Sequence, residues 1–80
     1  MDIENLIHMA NRIGDFFQAV PDREEALTGI AEHLRKFWEP RMRRQFLAAI
    51  DEGRAGELHE IVRAAVDRFR STLEPKAPVA

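Results

Sequence analysis

His8, His33 and His59 are the residue types in this 80-residue chain that most often do chemistry, and they stand about 25 positions apart. None has a second His or a Cys three or four residues away, the separation that brings two ligands to one face of a helix. Each therefore reads as a surface or half-buried structural histidine. Cysteine is absent, which removes thiolate metal sites, thiol nucleophiles and disulfides together. Carboxylates stand side by side at Glu24 and Glu25 and at Asp51 and Glu52. A catalytic pair needs convergent side chains with separated pKa values, whereas adjacent residues on a helix diverge by about 100°. Glu24 and Glu25 suit the positive end of a helix dipole instead. The single serine is Ser71, and no glycine-rich phosphate cradle is present. These residues predict a chain with no catalytic, metal-ligating or cofactor-binding centre of its own.

A different chemistry is concentrated in RKFWEPRMRRQFL, residues 35–47, where three aromatics, a proline break and four arginines surround one corner. Between residues 35 and 44, five Arg and Lys oppose one Glu, although the whole chain carries a net charge of −2. Arg beside Trp and Met is the composition that interface hot spots favour. On a helix starting at Pro40, Met42, Phe46, Leu47, Ala49 and Ile50 share one arc, with Arg43 inside it and Arg41 and Arg44 pointing away. A guanidinium in an apolar arc is expected to snorkel or to pair with an acid. The competing reading makes Phe37 and Trp38 core and the arginines solvated charge.

The elements that position this corner are all helical. Asp2 can cap a first helix over about Ile3 to Val20, with Ile3, Leu6, Ile7, Ala10, Ile13, Phe17 and Val20 as its stripe. Asp22 and Glu25 form a capping-box variant for a second helix that ends before Pro40. Pro40 opens a third helix that reaches Glu52 and stops at Gly53. A fourth carries Leu58, Ile61, Val62, Ala65, Val66, Phe69 and Leu73. The expected fold is all-α, a small bundle of four helices with short loops over residues 1–73, followed by a disordered C-terminal tail over 74–80. Gly14 and Gly29, placed symmetrically about Pro21, predict a close crossing of the first two helices. Met9 and Phe16 widen the first helix's apolar arc beyond what a small bundle buries, leaving either a second contact surface or a seat for the tail.

Apolar residues make up 45% and charged residues 32%, too apolar for disorder and without a run long enough to span a bilayer. The acidic, discontinuous N-terminus does not resemble a signal peptide, so cytoplasmic residence is expected. At this length the core is thin, and docking on a partner is the expected source of further stability.

The stretches HMANRIGDFF (8–17) and PDREEALTGIAEHLRKFWEPRMR (21–43), with the helix after them, resemble the delta subunit of NAD-dependent formate dehydrogenase. The likeness covers about residues 1–53 and is most specific at KFWEPRMR preceded by AEHLR. Beyond Gly53 it is loose. The resemblance implies a small non-catalytic subunit that docks on the large (alpha) subunit and stabilises or helps assemble the complex. It further implies that the complex carries a molybdenum or tungsten pterin, iron-sulfur clusters, FMN and NAD on other chains. The expected partner-binding residues are His33, Arg35, Phe37, Trp38, Arg41, Met42, Arg43 and Phe46, with Met9 and Phe16 as a secondary face.

Three alternatives remain. One is a transient assembly chaperone for the large subunit, holding cofactor phosphates on the basic patch. Another is a small DNA-binding protein with RMRRQF in the major groove, which net negative charge and the lack of exposed amide side chains disfavour. The last is a homodimer of the isolated chain. No nucleic acid and no membrane are expected as partners.

Overall fold

The first three helices begin where a side chain or a proline can satisfy or dispense with their first amides. In the computed structural model, which describes residues 2–75, α1 spans Ile3–Gln18, α2 Arg23–Phe37, α3 Pro40–Asp51 and α4 Glu60–Leu73. Asp2 accepts from Glu4 N, and Asp22 accepts from both Glu24 N and Glu25 N. Glu39 is held extended ahead of Pro40, the first residue of α3. No strand occurs among the described residues. Lys76–Ala80, most of the expected tail, lie outside them, whereas Glu74 is the C-cap of α4 and pairs with Arg70 at 3.1 Å.

Gly53 ends α3 in the left-handed region, at φ 74°. Its N–H bonds Ile50 O at 3.1 Å while Arg54 N bonds Ala49 O at 2.9 Å, the paired closure of a Schellman motif. The loop then runs further than the sequence suggested. Leu58 is buried in it rather than in α4, and His59 is the N-cap. Asn11 of α1 fixes this loop by donating to Glu57 O at 3.0 Å and accepting from His59 N at 2.8 Å.

The core is one cluster drawn from all four helices, with Leu6, Ile30, Leu34, Phe46, Val62, Val66 and Leu73 fully enclosed. The most extensive helix pairing is α2 against α4. These two run parallel, since Arg23 and Glu60 pair at their starts at 2.8 Å and one arginine bonds carbonyls at both of their ends. Arg68 adds a second clasp to Glu24 at 2.7 Å.

The two helical glycines make close approaches, but not to each other. A Cβ on Gly14 would lie 2.5 Å from Val62 Cγ2 and 3.3 Å from Ile61 Cγ2, so α1 is pressed against α4 there. On Gly29 a Cβ would meet the Phe17 ring, 2.7 Å from Cδ1 and 2.9 Å from Cζ. The crossing expected between the glycines themselves is replaced by glycine-to-side-chain seats, because α1 crosses α4 at Gly14 and lays an aromatic ring over Gly29.

Gly→Ala inside a helix ordinarily stabilises by about 1 kcal/mol. At Gly14 the sign reverses, because Val62 is fully buried and cannot give way. Gly14→Ala is expected to lower stability by about 1 to 2 kcal/mol net of the propensity gain, measured by urea denaturation with far-UV circular dichroism; a stabilised variant would show that this contact is absent.

Candidate functional site

Two residues, Trp38 and Glu39, join α2 to α3. A turn this tight leaves the last carbonyls of α2 without intrahelical partners and with no glycine to close them. Arg43, one turn into α3, supplies the missing donors. Its Nη1 donates to Trp38 O at 2.7 Å and Arg35 O at 3.1 Å, and its Nε donates to Leu73 O at 3.0 Å, at the end of α4. The guanidinium therefore lies where the negative ends of two parallel helix dipoles converge. Neither expectation for Arg43 is met: it reaches carbonyls rather than snorkelling or pairing with a carboxylate.

The corner's aromatics divide between inside and outside. Trp38 is 5% exposed and packs edge-on against Phe46, with centroids 5.3 Å apart; Phe46 is 2% exposed. These two expected contact residues are internal, because the extended C-cap geometry of Trp38 swings its indole under α3. Phe37, the preceding residue, is 71% exposed, with its ring 4.9 Å from that of His33. His33 and Met42 are half-buried, and Arg35, Arg41 and Arg44 are exposed. Of the expected contact residues, His33 and Phe37 stand together on α2, Arg35 lies on the α4 side of that helix with Phe69 and Thr72, Arg41 is exposed and Met42 packs against the core, while Trp38, Arg43 and Phe46 hold the corner. On the expected secondary face Met9 packs against the core, while Phe16 is 72% exposed and touches Phe17 edge-on at 5.0 Å.

The charges around the corner are partly committed. Arg35 donates to Glu32 at 2.8 Å and Lys36 lies 3.9 Å from the same carboxylate. The Arg35 hydrogen bond, with both positive charges behind it, holds the Glu32 carboxyl below its ordinary range. At the far end of α3, Arg70 forms a two-pronged pair with Asp51 at 2.9 and 2.7 Å, which lowers the Asp51 pKa and raises that of Arg70. Gln45 Oε1, on the inner side of α3, is buried without a hydrogen-bond partner among the described residues.

A cleft of about 540 Å³ lies away from the corner, between the start of α1 and the α3–α4 loop. Its polar lining includes Glu4, His8, Asn11, Arg54 and Glu57. Asn11 is engaged by the loop backbone and Arg54 by Glu52 at 2.7 Å. Asn11 went unnoticed in the sequence; its signal was a poor helix former in the interior of a helix, where a side-chain bond to backbone is the usual reason. No three His, Cys, Asp or Glu among the described residues gather where they could hold a metal ion.

Compared with known families, residues 5–66 match the model of the NADH-dependent formate dehydrogenase delta subunit, FdsD. The match runs past Gly53 into α4, beyond the part of the sequence on which the resemblance rested. No curated protein and no solved structure matches the chain.

Two outcomes follow from this geometry. Arg43→Ala leaves three helix-end carbonyls unsatisfied and is expected to cost about 3 kcal/mol, against less than about 0.5 kcal/mol for the exposed Arg41→Ala, read from denaturant midpoints. Asp51 has an ordinary pKa of 3.8 that is lowered in the fold. Its pair with Arg70 therefore contributes fully above that pH and fades as the pH falls through the lowered value. Asp51→Asn should consequently destabilise at pH 7 and become neutral in strong acid; an equal effect at both pH values would refute the pairing.

Proposed function

The chain belongs to the NADH-dependent formate dehydrogenase delta subunit family, and from that membership we propose that it is a non-catalytic small subunit. In this reading it docks on the large subunit of a cytoplasmic formate dehydrogenase complex and stabilises it or helps assemble it. The observation that carries the reading is the family match, which takes in α1, α2, α3 and the first half of α4. The physical character of the chain supports it. Its buried residues are apolar, three arginine–carboxylate pairs clasp one helix to another, and large aromatics are presented to solvent at Phe16 and Phe37.

The chemistry of formate oxidation and NAD reduction is assigned to other chains, which would carry the molybdenum or tungsten pterin, the iron-sulfur clusters and FMN. Cysteine, the usual cluster ligand, is missing here. This chain's contribution is then a free-energy one. A partner that binds the folded large subunit and not its unfolded form stabilises it by mass action.

The test is affinity purification from native extract through a tag on this chain, with metal and flavin analysis of what it retains. Stoichiometric recovery with active, metal- and flavin-loaded formate dehydrogenase is expected. Deleting the chain should lower the yield or the thermal midpoint of the complex. Recovery only with immature, cofactor-free large subunit would replace the resident subunit with a transient chaperone.

A further inference from the structure

We propose that the α2–α3 corner docks on an acidic protein surface that offers an apolar socket to Phe37 and carboxylates to Arg41 and Arg44. This rests on the docking reading above and adds to it the place and the chemistry of the contact.

Phe37 is an exposed aromatic on a rigid mount. It is the last residue of α2, its ring lies against His33, and the backbone beyond it is pinned by Trp38 N to Leu34 O at 3.1 Å and by Arg43 to Trp38 O. Little order is left to lose when such a ring enters a socket, which is what makes a fixed aromatic an effective anchor.

The charge around it is predominantly positive: Glu39, exposed in the turn, is the one carboxylate between residues 35 and 44, against Arg35, Lys36, Arg41, Arg43 and Arg44. Among the described residues Arg23, Arg35, Arg54, Arg68 and Arg70 each face a carboxylate. Arg41 and Arg44, one helical turn apart on the exposed side of α3, face none. Glu32, the nearest acid on α2, is already taken by Arg35 and Lys36. Glu39, the N-cap of α3, makes no side-chain capping bond, and no acidic residue follows it in the first turn of α3. Unpaired arginines beside an aromatic complement a surface bearing carboxylates around an apolar hollow. A nucleic acid fits less well: the chain as a whole is negative, and two free arginines neutralise too few phosphates for appreciable affinity.

Formate dehydrogenase purified from cells lacking this chain is the probe, titrated with purified chain by biolayer interferometry. Phe37→Ala and the double change Arg41→Glu with Arg44→Glu should each weaken binding about tenfold or more. Arg41→Lys with Arg44→Lys should change it by less than about threefold, and Arg54→Glu, on another surface, should leave it unaltered. Added salt should weaken wild-type binding more steeply than that of the Arg41→Ala, Arg44→Ala pair. Unchanged far-UV spectra and melting for the variants separate lost contact from lost fold. Wild-type affinity in both the Phe37 and the charge-reversed variants overturns this docking surface while leaving the subunit reading intact. Failure of the wild-type chain itself to bind defeats the subunit reading, and this proposal with it. Tight, salt-sensitive binding of a duplex oligonucleotide that the charge reversal abolishes would overturn it in favour of nucleic acid.

Discussion

Arg43 solves a problem created by packing two helices in parallel. With α2 and α4 side by side and pointing the same way, their negative ends and unsatisfied carbonyls arrive together at one end of the molecule. Neither helix closes that end with a glycine, in contrast to α3 at Gly53. One guanidinium from the first turn of α3 spans Arg35 O, Trp38 O and Leu73 O, so three helices are fixed by a single planar group. A lysine could not reproduce this, since the contact depends on donors projecting in fixed directions from one plane.

Much else follows from that knot. Because the carbonyl of Trp38 is held, the chain leaves α2 extended, the indole turns inward onto Phe46, and Phe37 turns outward. Peripheral ion pairs, Arg23 with Glu60 and Glu24 with Arg68, set the α2–α4 register along its length. Being half-exposed, they contribute modestly. Gly14 and Asn11 set how closely α1 meets α4 and its preceding loop, the first by having no side chain and the second by bridging backbone.

The result is a small rigid body whose conformational freedom is spent before it meets a partner. For a docking role such as the one proposed, this has a physical advantage. A preformed surface forfeits little entropy on binding, so a few well-placed side chains suffice. On the docking role proposed above, mass action would carry the binding energy of this chain into the stability of the complex it joins.

The existence of four helices, the caps Asp2 and Asp22, the proline start of α3, the stop at Gly53 and the inward arc of α3 were legible along the chain, because these depend on local spacing and on backbone limits at Pro and Gly. The sequence also carried the family, through KFWEPRMR and the helix before it. Which corner residues face outward depends on how the helices pack. Phe37 and Trp38 are adjacent and chemically alike, and the choice between them depends on Arg43 and on the distant carbonyl of Leu73. For the same reason the seats of Gly14 and Gly29, the burial of Leu58 in a loop and the bridge at Asn11 were not legible. Each is a contact between residues far apart in the chain, set by how the helices cross, and periodicity along one helix holds no information about that crossing.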